Sequence, residues 1–190
     1  MPPVSLTSLW LPVLVSAVVV FVASSIVHMV LTYHRTDFNK LPGEAEIAHA
    51  LQRFNLPAGD FIMPHCSSPK EMQTAEFQEK WKKGPRLVLT SLPGGSMAMG
   101  GQLAQWFVFC LVVSLFAAYM ASRALPAGAE YLRVSQMAST TAFLGYAMGA
   151  WPGVIWYKRS ATTALKGTFD GLIYGLLTGG VFGWLWPKVL

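Results

Sequence analysis

Charge is what this chain has least of. Only 12% of its 190 residues are Asp, Glu, Lys or Arg, against 53% hydrophobic. That shortage excludes the usual soluble pattern, in which apolar residues are spread along amphipathic elements with charge between them. Cysteine is nearly absent as well, with Cys66 in a polar stretch and Cys110 in an apolar one, so no disulfide framework is expected. No dense Lys/Arg run with interleaved aromatics occurs, so the net charge of +5 does not point to nucleic acid. Catalytic motifs are missing too. There is no G-x-S-x-G, no H-E-x-x-H, no C-x-x-C and no C-x-x-C-H, and Gly94-Gly95-Ser96 lacks the lysine and spacing of a phosphate loop. Carboxylates stand close together only as Glu44 with Glu46 and Glu76 with Glu79, on helices expected to be solvated. No enzyme is expected.

What the chain does have is apolar residues in blocks of about twenty, the length that crosses a hydrocarbon core of about 30 Å. Four such blocks are expected, at 9–32, 102–122, 132–157 and 167–186, the third interrupted by "GAWPG" at 149–153. The stretch "MPPVSLTSLW" has no basic n-region, and the apolar run behind it is too long for a signal-peptide core, so the first block reads as a retained span. Trp10, Trp184 and Trp186 mark one interface, and Trp106, Trp151, Trp156 and Tyr157 the other. Arg35, Lys40, Arg86, Lys158, Arg159 and Lys166 flank the spans on one side, against Arg123, Arg133 and Lys188 on the other. The positive-inside rule then places segments 33–101 and 158–166 in the cytoplasm and both termini outside, in a bacterial cytoplasmic membrane.

Segment 33–101 is too long for a plain connection and is expected to fold. "LPGEAEIAHALQRFN" reads as a helix with Glu44 and Glu46 in its first turn and Ile47, Leu51 and Phe54 as a stripe. Ser68, Pro69 and Glu71 form a helix-start signal, a break is expected near Thr74, and Gly84-Pro85 ends the run. "FIMP" and "RLVLTSL" are candidate strands. The expected fold is therefore an all-α integral membrane protein, a four-transmembrane-helix bundle with an α/β loop domain of roughly 65 residues between helices 1 and 2.

Glycine is concentrated in one place. Gly167, Gly171, Gly175, Gly179 and Gly183 recur every fourth residue of the last block. Four residues turn a helix by about 400°, so these glycines share a slowly drifting face. Each costs roughly 1 kcal/mol of helix propensity against alanine, which close backbone packing must offset. Gly145 and Gly149 in the third block form a matching small pair, with Ala142, Ser114 and Ala118 as further candidates. The partner of the file is either another helix of this chain or another subunit. Asp170 lies one turn into the last block, where a carboxylate needs a partner; Lys158, Arg159 and Lys166 are the nearest cations in sequence and the expected ion-pair partners.

The remaining chemistry is histidine and one thiol. His28 and His34 flank the end of the first block; six residues apart on a continuous helix their rings would point about 240° apart, so they share a ligand only if the helix has ended. Met63, His65 and Cys66 form "MPHC", soft enough for copper or zinc if His28 or His34 reaches it. His28 is also a candidate axial ligand for a haem or chlorophyll-type group, though no other block offers a second histidine. The favoured reading is a non-enzymatic accessory or scaffolding subunit, held by its glycine file in a larger membrane complex, possible hosts including respiratory and photosynthetic assemblies. Its partners are the bilayer and other membrane subunits or copies of itself. The alternatives are a metal- or cofactor-binding membrane protein and an oligomeric channel or exporter. The last would need Gln102, Gln105, Ser114, Ser135, Gln136, Ser139, Thr140 and Thr141 to face a lumen.

Overall fold

The computed structural model describes residues 4–95 and 98–189; Ser96 of the weak phosphate-loop candidate lies outside them. The chain divides into two compact units, one running to Phe38 and resuming at Ala98, the other formed by the intervening segment 39–97.

The first unit is helical. After a 3-10 turn at Leu6–Leu9, α1 runs Trp10–Met29, followed by a 3-10 turn at Tyr33–Thr36. The chain returns to this unit as α5 (Gly100–Ala124), α6 (Tyr131–Ala147), α7 (Trp151–Tyr157) and α8 (Ala161–Leu185). Helix α1 packs on α5 and α8, α5 on α6, and α6 on α8. Two buried clusters fill the interior. One gathers Leu9, Ala117, Ala118, Ala121, Val134, Ala138, Phe182 and Trp186; the other Ala17, Val20, Val27, Cys110 and Tyr174. Alanine at so many core positions lets helices approach closely, and hydroxyls bond across the gaps: Ser16 donates to Ser114 at 3.0 Å and the Trp106 indole to Ser24 at 2.7 Å.

Two of these helices, Leu6–Met29 and Gly100–Ala124, are long and apolar enough to cross a membrane. Their most apolar windows are only 33% and 28% buried, whereas the core helix of a soluble protein would be mostly covered. Val18, Val22, Ile26, Val108, Val112 and Phe116 are exposed on them. Helix α8 is as long, with 25 residues, but Lys166, Asp170 and its glycines make it less apolar. The 132–157 block is two helices. Pro152 has no N–H to give the Met148 carbonyl, and the ladder resets through a 3-10 turn at Met148–Ala150. Lys158 then closes α7 with φ at 54°.

The glycine file is taken up inside the chain. A Cβ built on Gly171 would stand 2.8 Å from Ala147, on Gly175 2.9 Å from the Ser139 carbonyl, on Gly179 2.5 Å from the Ser135 carbonyl, and on Gly183 2.7 Å from the Tyr131 ring. Tyr131, Ser135, Ser139, Phe143 and Ala147 are themselves spaced by four, so two files of the same period run antiparallel along α6 and α8. Gly167 is the exception, with open space where its side chain would be. The small pair expected to meet this file does not. Gly145 faces Val113 of α5, and Gly149 has nothing within 4 Å of a built Cβ. The pair lies off the α8-facing file because that face runs through residues 139, 143 and 147. Of the candidate lumen residues, Ser114 is buried against Ser16, while Ser135 and Ser139 abut Gly179.

In the second unit α2 spans Glu44–Gln52, and β1 (Gly59–Met63) pairs antiparallel with β2 (Leu87–Ser91), Phe61 opposite Leu89. Between them α3 (Pro69–Met72) starts where Ser68 accepts from the Glu71 N–H, and α4 (Ala75–Lys83) starts afresh where Thr74 accepts from the Phe77 N–H. Gly84 ends α4 with φ at 69°, a conformation glycine adopts without penalty. Both cysteines are free, Cys110 fully buried and Cys66 donating to the Ser68 carbonyl at 3.0 Å.

Candidate functional site: a histidine and carboxylate cluster at the end of α1

Three short stretches build the site. Helix α1 stops at Met29, where Val30 and Leu31 both donate to the Ile26 carbonyl and the ladder loses register. The Tyr33–Thr36 turn then folds the chain back, so that the His34 ring comes to 4.3 Å from the His28 ring, centroid to centroid. The condition under which the two histidines meet, an ended helix, is fulfilled. On α8, Lys166 and Asp170 are one turn apart and share a face, and that face receives the turn.

The turn is tied to α8 through several polar groups. The Lys166 ammonium donates to the Tyr33 carbonyl at 2.6 Å, to the Thr36 hydroxyl at 2.9 Å and to Asp37 Oδ1 at 2.7 Å. His34 stands between two carboxylates, Nδ1 at 2.6 Å from Asp37 Oδ2 and Nε2 at 2.8 Å from Asp170 Oδ2. The Tyr33 hydroxyl donates to Asp170 Oδ1. An order Lys166, Asp37, His34, Asp170 results, alternating in sign when the imidazole carries both protons. The side chains are well covered, at 5% exposure for Asp170, 13% for Asp37, 14% for His34 and 18% for Lys166. Burial, then the hydrogen bond to Asp170, pushes the Tyr33 hydroxyl well above the usual phenol range, so it stays a donor.

The expected ion pair of Asp170 with Lys158, Arg159 and Lys166 is therefore corrected. Asp170 pairs with His34, Lys166 pairs with Asp37, and neither Lys158 nor Arg159 bridges Asp170. Proximity in sequence misled because Lys166, although on the same face of α8, reaches outward to the turn, which brings its own carboxylate. Sequence reasoning also missed Tyr33 and Asp37. The signal was present in "HMVLTYHRTD", where a run of polar residues directly follows an apolar helix.

Of the residues singled out for soft-metal chemistry, His28 and His34 come together, with Asp170 as the third member. Met63 closes β1, and His65 and Cys66 follow it, all within the other unit.

Asp37 sets an acid limit on the turn. The hydrogen bond from Lys166, then that from His34, holds its carboxyl below the ordinary range. A carboxyl with a lowered folded-state pKa adds stability above its unfolded value of about 4 and loses it as pH falls through the folded value. Lys166→Met is expected to raise the Asp37 pKa toward its unfolded value, so the variant should be less stable near neutral pH but lose less stability on acidification, read from melting temperatures across an acid series. A pH profile of unchanged shape would show that the two are not coupled.

No family model, curated protein or solved structure matches this chain, so its function is argued from this geometry alone.

Proposed function

We propose that this is a non-enzymatic subunit of a membrane complex, crossing the bilayer four times, with the 39–97 unit on the cytoplasmic side as the part that docks on a neighbouring protein subunit. Support for four crossings comes from the two apolar helices, from the length of α8, and from the basic residues flanking segments 33–101 and 158–166.

The observation that carries the docking role is the thinness of the unit's interior. Phe77 is the one buried residue among its described positions, while Phe54, Met72, Trp81, Val88 and Leu92 are exposed. Burying one large apolar side chain contributes about 1.5–3 kcal/mol, whereas ordering each backbone residue costs about 1–2 kcal/mol. A two-stranded sheet and short helices with so little covered surface need another surface over them. A protein suits that role better than anionic lipid. Lys80 and Lys83 are paired to Glu76 and Glu79 and Arg86 lies over the Trp81 ring, which reduces the positive charge left to attract anionic lipid. The α6 file already occupies Gly171, Gly175, Gly179 and Gly183, so the loop unit is the better candidate for the outside contact.

Purification from the native membrane in mild detergent tests this. The chain is expected to co-migrate with a second membrane protein, and the double variant Phe54→Glu, Leu92→Glu is expected to lose that partner while the helices keep their melting temperature. A chain that runs alone, or a double variant that keeps its partner, sinks the reading.

A further inference from the structure

The ion-pair network at the end of α1 accounts for Lys166, Asp37, His34, Asp170 and Tyr33, but not for His28. Among the described residues no hydrogen bond engages the His28 ring; the residue is exposed and its ring lies against His34. A purely structural clamp has no use for a second imidazole there. A metal centre does.

We propose that His28, His34 and Asp170 are the three protein ligands of a divalent first-row transition-metal ion of the zinc, cobalt or iron class, with at least one coordination position left open. One ligand atom from each lies within 4.8 Å of the others. Tetrahedral ligands at about 2.1 Å from an ion stand roughly 3.4 Å apart, so small rotations of the His28 ring and the Asp170 carboxylate close the set. Two imidazoles select a transition metal over magnesium or calcium, which prefer all-oxygen shells. With no thiolate among the three, copper(I) is disfavoured.

The groups around the triad are those a metal centre needs. A ligating histidine almost always gives its other ring N–H to a carboxylate or carbonyl, which fixes the tautomer and strengthens the ligand nitrogen. His34 Nδ1 meets Asp37 Oδ2 at 2.6 Å, which leaves Nε2 as the ligand atom on the Asp170 side. Asp37 is in turn held by Lys166 at 2.7 Å, so its charge is matched and Asp170 remains the anionic ligand. The Tyr33 hydroxyl holds the second oxygen of Asp170, which aims Oδ2 at the histidines. Three elements thus each contribute one ligand or one support, and an ion there would tie α1, the turn and α8 together.

The test uses the full chain, purified in detergent without a histidine tag, stripped with chelator, and titrated with Co2+ and then Zn2+. One Co2+ per chain is expected, with visible d–d absorption that Zn2+ abolishes. His28→Phe keeps a ring against His34 and touches none of the ion pairs, so its metal-free melting temperature should match the wild type while Co2+ affinity falls at least 100-fold. His28→Gln serves if the phenylalanine variant does not fold. Asp37→Asn should weaken binding about 10- to 100-fold, as loss of a supporting carboxylate does. Absence of stoichiometric Co2+ in the wild type, or equal affinity after loss of His28, overturns the proposal.

Discussion

Gly179→Leu is expected to destabilise the helical unit by at least about 3 kcal/mol, the upper end of what overpacking costs. A Cβ on Gly179 would already overlap the Ser139 hydroxyl and stand 2.5 Å from the Ser135 carbonyl. The first of these is a side chain and can turn away. The second is backbone of α6, so relief requires the two helices to separate, and separation uncovers the contacts at Gly171, Gly175 and Gly183 as well. Gly167→Leu is the matched control. It sits on the same file with nothing within 4 Å of a built Cβ, so it should not destabilise the unit and should gain up to about 1 kcal/mol of helix propensity. Equilibrium unfolding in mixed micelles, followed by tryptophan fluorescence, measures both. Equal costs at 179 and 167 would mean that the α6 crossing described here does not form.

The second large effect is at Asp170. Asp170→Ala removes the acceptor shared by Tyr33 and His34, and breaking a buried pair by deleting one partner costs about 3–5 kcal/mol. The loss should appear in the chelator-stripped protein, which separates it from any contribution of bound metal. Lys158→Ala and Arg159→Ala, the neighbours that sequence proximity would nominate, should each change stability by about 0.5 kcal/mol or less. If those two variants weaken the protein as much as Asp170→Ala does, the pairing of α8 with the Tyr33–Thr36 turn is wrong.

The loop unit was legible in detail because its signals are local. Ser68, Thr74 and Gly84 start and stop helices through hydrogen bonds within a few residues of themselves, and the alternation in "FIMP" and "RLVLTSL" needs only a neighbouring strand. The glycine file was legible as a close-packing surface for the same kind of reason: five absent side chains on one face mean that some backbone comes near. Its partner was not legible. Gly145 and Gly149 looked complementary, yet α6 meets α8 through Ser135, Ser139, Phe143 and Ala147. Period four marks several faces of a helix, and only packing against α5 decides which of them remains for α8.

The site divides in the same way. His28, His34 and Asp170 were each noticeable in the sequence as polar groups at the edges of apolar runs, and a carboxylate in that position had to find a partner. Which partner it finds depends on where α1 ends and how the next few residues turn. A difference of about two residues, half a helical turn, in where α1 ends would send His34 to the opposite side. By itself, then, the order of residues determined the long apolar helices, the close-packing face of α8 and the need for a counter-charge at Asp170, because burial and desolvation act on each residue type wherever it lies. Only the tertiary structure decided that α6 fills the glycine face and that His34, with His28 against its ring, meets a carboxylate 136 residues away. Contacts between distant segments depend on the register and crossing of whole helices, which no local pattern encodes.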